Sequence, residues 1–295
     1  MKITCIHQGH NVVGECPVWD AEQQSLYWVD VDSGKVHRRD GTGAVETWRF
    51  DAPVSAVALT TSANVLLLAV GGSLLLWSPA DDTQTVCAHV EKRWPLMRLN
   101  DGAVAPAGEF WIGSMTNNVS ADGSAVTVSH WDNGALYRAD ARGTVATIGS
   151  GFKVPNTVVW SPDGRLFYCG CSVQNTIWRY DYDPASRSIS QKRPFLLPTD
   201  PGSPDGSAID AEGFLWNCRW GGGAILRISP LGDIVLKLDL PVSNPTSCTF
   251  GGPDGTTLYV TSAALGTAHE VFAGGLFAIE TGILGQPTRR FRLPA

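Results

Sequence analysis

Residues 161–181, SPDGRLFYCGCSVQNTIWRYD, carry the pattern that decides the fold. The tetrapeptide SPDG places an Asp and a Gly where a tight turn needs local hydrogen bonding and a positive φ. An aromatic strand, RLFYCG, follows the turn, and a second strand, TIWRYD, comes after a short polar gap. The stretch therefore predicts two neighbouring antiparallel strands joined by a turn.

The same unit occurs six times along the chain, with starts 40 to 56 residues apart. Its first strands are SLYWVD from Ser25, VLLLAV from Val65, EFWIGS from Glu109, RLFYCG from Arg165, FLWNCR from Phe214 and TLYVTS from Thr257. A period of about 40 to 50 residues is typical of four-stranded propeller blades. Since no convincing amphipathic helix pattern separates the strands, they cannot form a parallel sheet with helical crossovers.

We therefore predict an all-β fold, a single six-bladed β-propeller of four-stranded antiparallel blades spanning residues 1–295. Closing such a ring requires the two ends of the chain to meet in one blade. We expect the N-terminal strand ITCIH, residues 3–7, to pair with the C-terminal segment around residues 290–293.

Composition excludes several classes of protein. The chain has 295 residues, of which 43% are hydrophobic and 17% charged, with a net charge of −6 and no clustered Lys or Arg, so a nucleic-acid partner is not expected. The N-terminus lacks the apolar core of a secretory signal, and the most apolar window, residues 65–77, is too short to span a membrane. We expect a cytoplasmic protein with no membrane contact, no obligate protein partner and seven reduced cysteines.

Common catalytic motifs are missing from the sequence. It has no G-x-S-x-G elbow, no H-E-x-x-H, no phosphate-binding loop and no G-x-G-x-x-G, and its six histidines lack metal-ligand spacing. The remaining candidates are polar residues that precede strands in different units: Glu15, Arg98, Asn100, Asn156 and Asp205. In a propeller such positions converge on one mouth of the channel, and carboxylate and amide oxygens suit a divalent cation. Turn chemistry or a surface position explains each residue taken alone.

Longer segments carry a family resemblance over nearly the full chain. They are GECPVWD, LYWVDV, RLNDGAVAPAGEFWIGSM, NTVVWSPDGRLFY, PDGSAIDAEGFLWNCRWGGG and LPVSNPTSCTFGGPDGTTLYVTSA. Together they resemble the SMP-30/gluconolactonase/luciferin-regenerating-enzyme (regucalcin-like) sugar lactonases. The resemblance implies a six-bladed propeller with one divalent metal held by Glu15, Asn156 and Asp205, and with Arg98 and Asn100 as substrate contacts.

The function implied is hydrolysis of sugar (aldono) lactones to aldonic acids in a sugar oxidation pathway. The metal polarises the lactone carbonyl, and Asp205 is the expected base for the attacking water. The metal can be Ca²⁺, Mg²⁺, Mn²⁺, Zn²⁺ or Fe²⁺. Three alternatives stay open: a non-catalytic calcium-binding regulatory propeller, a protein-interaction propeller with no site, and a metal-dependent hydrolase of other esters.

Two departures from the family pattern fall where the sugar pocket is expected. Cys171 stands where relatives often have an Asp, and Asn117-Asn118 stand where some have a Glu, so we expect Asn118 and Cys171 to contact substrate. Residues 116–133 form a long polar stretch that is either a surface excursion or a lid. Asp210, in the DAEG turn, is assigned to turn structure alone.

Overall fold

The computed structural model describes residues 1–120, 122–128, 130–132 and 134–294, which fold into six four-stranded antiparallel sheets. The strands are β1 (Lys2–His7), β2 (Gly14–Asp20), β3 (Ser25–Asp30), β4 (Lys35–Arg39), β5 (Val45–Arg49), β6 (Val54–Leu59), β7 (Leu66–Val70), β8 (Ser73–Ser78), β9 (Thr83–His89), β10 (Met97–Val104), β11 (Phe110–Thr116), β12 (Gly134–Ala139), β13 (Val145–Phe152), β14 (Pro155–Trp160), β15 (Leu166–Cys171), β16 (Thr176–Asp183), β17 (Ser188–Leu196), β18 (Ser203–Ile209), β19 (Leu215–Trp220), β20 (Ala224–Ile228), β21 (Ile234–Asp239), β22 (Pro245–Gly251), β23 (Thr257–Ser262) and β24 (Leu276–Glu280). Within the described ranges no helix is long and apolar enough to cross a membrane.

The sheets confirm the predicted six-bladed propeller. Blades 1 to 5 are formed by consecutive strands, from β2-β3-β4-β5 to β18-β19-β20-β21. The first strand of each repeat unit seen in the sequence is the second strand of a blade. The innermost strands β2, β6, β10, β14, β18 and β22 each contact the next in a closed ring, so their equivalent ends surround one channel.

Blade 6 closes the ring differently from our expectation. β1 pairs with β24, with Ile3 opposite Ile279, to give the order β22-β23-β24-β1. The segment around residues 290–293 does not pair with β1, and the prediction for that segment is wrong. Phe291 instead bridges Thr60 in blade 2, and Arg290 forms an ion pair with Asp20. These contacts hold the C-terminal segment against the end of the channel opposite the site described below.

The core lies between the blades, because each sheet is covered on both faces by its neighbours. Every residue of β3 and β6 is buried, which explains why these strands are apolar without strict alternation. Trp111 of blade 3 meets Trp160 of blade 4 edge to face, with ring centroids 5.4 Å apart. Aromatic pairs of this kind combine large buried area with a preferred geometry, and they fix the angle between adjacent blades. All seven cysteines are free thiols.

Candidate metal centre

The innermost strand of every blade is interrupted by a register shift at a similar position. The shifts lie between Glu15/Val18, Val54/Ala56, Leu99/Gly102, Asn156/Val159, Pro204/Ser207 and Pro245/Cys248. A β-bulge adds a residue to one strand and redirects a side chain away from the regular alternation. The predicted ligands Glu15, Asn156 and Asp205 all lie at such shifts.

The backbone at these bulges is in conformations that few residues adopt freely. Cys16 and Thr157, which directly follow two of the ligands, have φ values of +46° and +59°. The residue after Asp205 is Gly206, and a Cβ atom there would lie 2.2 Å from the Ser247 Oγ of the next blade. Non-glycine residues with positive φ, and positions where only glycine fits, destabilise the backbone locally and are typical of functional sites.

The three predicted ligands meet at one cavity of about 370 Å³ at the mouth of the channel. The cavity is lined by Val13, Glu15, Val31, Asp32, Arg98, Asn100, Met115, Asn118, Trp131, Val154, Asn156, Ser172, Val173, Ser203, Asp205, Trp220 and Leu265. Three blades therefore contribute one oxygen-bearing side chain each, and apolar and aromatic side chains line the rest of the cavity. A cavity of this size with a few convergent polar groups is typical of a small-molecule site.

The carboxyl groups in this cavity repel one another. Burial is the largest cause that raises the pKa of Asp205 well above its ordinary range, and the nearby charges of Glu15 and Asp101 add to it. Burial likewise raises the pKa of Glu15, with Asp101 as the next cause. Among the described residues no Lys, Arg or His forms an ion pair with Glu15 or Asp205. The charge of Arg98 lowers the pKa of Glu15, but it does not offset the effects of burial and Asp101, so a cation among the carboxylates would favour their ionised forms.

Asn156 is held so that its carbonyl oxygen is available. Its Nδ2 donates to Ser172 Oγ at 2.8 Å, and Ser172 Oγ donates in turn to Pro204 O at 2.7 Å. The Oδ1 atom receives only a long hydrogen bond, 3.3 Å, from Asn100 Nδ2. Ser172 is a positioning residue that the sequence analysis did not single out, since a Ser after a strand carries no signal of its own.

The donor set fits a divalent cation. It consists of two carboxylates and an amide oxygen, all oxygen atoms, and a cation among them would neutralise the repulsion described above. No group of three His, Cys, Asp or Glu side chains in the described part of the chain is arranged to hold a metal. Such a site therefore depends on the amide of Asn156 as its third ligand.

Arg98 and its partners form one wall of the cavity. Arg98 is 5% exposed, and its guanidinium donates through Nε and Nη2 to Asn118 Oδ1 at 3.0 and 2.8 Å. Its Nη1 donates to Asn100 Oδ1 at 2.8 Å and to Leu99 O at 2.9 Å. Since Asn100 Nδ2 also donates to Pro155 O, Asn100 connects the arginine to the strand that carries Asn156. A guanidinium has five N–H groups, so one remains for a ligand.

Cys171 is the one predicted site residue that the structure does not bring to the cavity. It has no exposed surface and packs in the core of blades 3 and 4 with residues such as Trp111 and Cys169. The backbone N–H of Val154 donates to its Sγ at 3.4 Å, so Cys171 lies one layer behind the wall. The side chains of the next two residues, Ser172 and Val173, line the cavity instead.

The long stretch 116–133 forms part of the site. Asn118 and Trp131 from this stretch line the cavity, and Lys153 Nζ donates to Trp131 O. Ala121, Ser129 and Asn133 lie outside the described residues. The stretch is therefore more than a surface excursion, because it supplies both a polar partner for Arg98 and an aromatic wall.

The chain is similar to known proteins over most of its length. The family model for the SMP-30/gluconolactonase/LRE-like region matches residues 13–264. The chain belongs to the SMP-30/gluconolactonase/LRE-like family. The matched region contains Glu15, Asn156 and Asp205, together with the whole Arg98 wall.

Similar proteins include both a lactonase and regucalcins. A pentonolactonase of Haloferax volcanii is 32% identical over 98% of this chain and 98% of its own. Human regucalcin is 34% identical over 96% of this chain and 95% of its own. The crystal structure of a calcium-binding regucalcin from Agrobacterium tumefaciens has a TM-score of 0.89 at 27% identity and covers 98% of this chain and 97% of that one.

Asp32 is a cavity residue that the sequence analysis missed. It lies in the turn between β3 and β4 and is 3% exposed. The sequence of the preceding strand, β3, indicates only a buried apolar strand. The sequence VDVDSG offers turn residues and nothing that distinguishes this Asp from Asp30, whose Oδ1 accepts a hydrogen bond from the Val13 N–H. Only the ring of blades places Asp32 against the cavity that Glu15, Asn156 and Asp205 line.

Proposed function

We propose that this protein is a divalent-metal-dependent lactonase that hydrolyses sugar (aldono) lactones to aldonic acids, as a step in sugar oxidation. The observation that carries the proposal is the meeting of Glu15, Asn156 and Asp205 at the floor of one cavity whose wall holds a buried arginine. The name of the Haloferax volcanii relative, a pentonolactonase, supports the substrate class.

The metal would be held by Glu15, Asn156 and Asp205. A divalent cation bound there would keep both carboxylates ionised and would act as a Lewis acid toward a lactone carbonyl. The oxygen donors accept Ca²⁺, Mg²⁺, Mn²⁺, Zn²⁺ or Fe²⁺, so the native metal is a matter for direct analysis.

The protein's own groups hold the sugar and move the proton. Arg98, oriented by Asn118 and Asn100, directs its remaining N–H toward a sugar hydroxyl or the ring oxygen. Asp205 accepts a proton from the water whose oxygen adds to the carbonyl carbon. When the bond from that carbon to the ring oxygen breaks, the proton passes to the ring oxygen. The product is the open hydroxy acid, so that one water is consumed for each lactone.

The aromatic and apolar wall limits water at the reacting centre. Met115, Trp131 and Trp220 line the cavity above the polar floor, and a flat sugar ring packs well against such side chains. Excluding bulk water strengthens the electrostatic interactions of the carboxylates and of Arg98 with the substrate.

The test combines metal analysis with a substrate panel. The purified protein is analysed for metal, stripped with a chelator and reloaded with each candidate cation. Opening of aldonolactones is followed with a pH indicator, alongside an aryl ester. We expect lactone opening above the spontaneous rate, loss of activity after chelation and recovery with one or more cations.

The control outcomes separate this proposal from its alternatives. Metal-loaded protein that binds calcium tightly but opens no lactone or ester faster than the spontaneous reaction would be a binding protein. A preference for the aryl ester over every aldonolactone would indicate a different ester as the substrate. Either result contradicts the proposed function.

A further inference from the structure

Asp32 is an unusual buried carboxylate. It is 3% exposed, and neither of its carboxylate oxygens has a hydrogen-bond partner among the residues that the structure describes. A buried charged group without hydrogen bonds is costly, because it has lost its hydration without compensation. Asp32 lines the cavity, where a bound ligand can donate the missing hydrogen bonds and so offset this cost.

Two other buried carboxylates of this chain, Asp210 and Asp20, are compensated. Asp210 accepts hydrogen bonds from the Arg227 guanidinium and from Trp216 Nε1. Asp20 is paired with Arg290. Asp32 is different because its side chain lines the same cavity as the predicted metal ligands, where a ligand can supply the missing donors.

The stretch 116–133 helps to bury this aspartate. Gly123 of that stretch, with φ of +82°, passes so close that a Cβ atom there would lie 2.9 Å from the main-chain carbonyl oxygen of Asp32. The turn after β3 is therefore covered by this stretch on one side, and Asp32 lines the cavity of the predicted ligands. Asp32 also borders a neighbouring cleft of about 320 Å³ that contains Asp51 and Trp94.

Arg98 is the positively charged residue that acts on the pKa of Asp32. Burial raises the pKa of Asp32, and the charge of Arg98 lowers it. Both residues line the cavity, and the Asp32 oxygens have no hydrogen-bond partner among the described residues. A hydroxyl group can donate to a carboxylate and accept from a guanidinium at the same time. A polyol between the two side chains would satisfy both.

We propose that Asp32 determines substrate specificity by accepting hydrogen bonds from two hydroxyls on neighbouring carbons of the substrate. Two unpartnered carboxylate oxygens match two adjacent hydroxyl donors, and Arg98 meets the acceptor side of one of them. The inference rests on the proposed function and deepens it, because it selects lactones that carry a vicinal diol over plain lactones.

The test compares Asp32→Asn and Asp32→Leu with the metal-loaded parent. The substrates are an aldonolactone and the unsubstituted lactone of the same ring size. A site built around a substrate hydroxyl discriminates strongly against an analogue that lacks it. We expect kcat/KM for the aldonolactone to fall about 10- to 100-fold in both variants, with less than about threefold change for the plain lactone. Asp51→Asn, which removes an exposed carboxylate of the neighbouring cleft, is the matched control and should keep the parental ratio.

Thermal stability distinguishes recognition from a structural role. Removing an unpartnered buried charge should leave the melting temperature equal or higher, whereas loss of a structural contact should lower it. Unchanged ratios between the two lactones overturn the inference even if activity falls, and so does a lower melting temperature with unchanged ratios.

Binding of the product keeps the inference testable if the proposed function fails. Isothermal calorimetry with the aldonate measures hydroxyl recognition without turnover. Binding by the parent that Asp32→Leu weakens about tenfold or more supports the role of Asp32, even in a protein that opens no lactone. Equal binding by the parent and both variants, or no binding by any of them, overturns it.

Discussion

Replacing Asp205 with Asn tests the proposed mechanism most directly. The variant keeps the size of the side chain and one carbonyl oxygen, but it removes the negative charge and nearly all basicity. The strand itself should be undisturbed, because it is the main-chain carbonyl of Asp205 that is anchored, by Thr157 Oγ1 at 2.5 Å and by Asn217 Nδ2 at 3.2 Å. The Asn variant retains both hydrogen bonds.

The expected loss of rate follows from the role of a general base. Removing such a group typically slows the reaction about 10²- to 10⁴-fold, which corresponds to about 3 to 5 kcal/mol of transition-state stabilisation. Weaker metal binding should add to this when the cation is not saturating. The assay is lactone hydrolysis with a pH indicator at saturating metal, with folding checked by circular dichroism.

Although Asp205→Asn should lower the rate, it should make the metal-free protein more stable than the parent at neutral pH. The pKa of Asp205 is raised by burial and by Glu15 and Asp101, so its ionisation costs stability as pH rises from the ordinary carboxyl range through the raised pKa. In chelator, the parent should lose stability over that rise in pH, and Asp205→Asn should lose less. Added metal should raise the melting temperature of the parent more than that of the variant.

The matched control is Asp254→Asn. Asp254 is exposed in the GPDG turn, where its Oδ1 accepts a hydrogen bond from the Thr256 N–H, and it is not among the residues that line the cavity. It should leave turnover close to that of the parent. If correctly folded Asp205→Asn hydrolyses lactones as fast as the parent, Asp205 is not the base and the mechanism is refuted.

Three further variants separate substrate, structural and core roles. Arg98→Ala should lower kcat/KM while leaving metal content intact, and loss of bound metal by elemental analysis would contradict the assignment. Asp210→Asn should destabilise the fold by about 3 to 5 kcal/mol in urea unfolding, because it breaks the ion pair of a fully buried Asp210 with the largely buried Arg227; a change below about 1 kcal/mol would show that the pair is dispensable. Cys171→Asp should lower the melting temperature by burying a carboxylate at a position with no exposure, while Cys171→Ser should keep the ratios between lactones; shifted ratios in the Ser variant would restore a pocket role.

Asp210 stabilises both its own turn and the packing of neighbouring strands in the blade. The sequence DAEG correctly predicts local hydrogen bonds, and Asp210 Oδ1 accepts from the Phe214 N–H at 2.9 Å. The structure adds the Arg227 ion pair and the indole N–H of Trp216. Because these partners come from other strands of the blade, no local pattern could indicate them.

The repeat unit made the fold predictable from the sequence alone. Strand periodicity, tight turns and spacing are local properties, and six copies of one unit leave few architectures other than a propeller. The family motifs also pointed to Glu15, Asn156, Asp205, Arg98 and Asn100, all of which line one cavity. Ring closure was mispredicted because the C-terminal segment is held by contacts with blade 2 rather than by a strand pattern of its own.

Which side chains face the cavity was decided only by the tertiary structure. Bulges on the innermost strands set the positions of Glu15, Asn156 and Asp205. At the end of β15 the ordinary alternation of side chains places Cys171 in the core and Ser172 on the cavity wall. Asp32 reaches the same cavity from a turn that looks ordinary in the sequence. The physical reason is that the burial and hydrogen bonding of the cavity side chains depend on strands from different blades. These strands are far apart in the sequence and come into contact only when the ring closes, so a local sequence pattern cannot show which side chains meet.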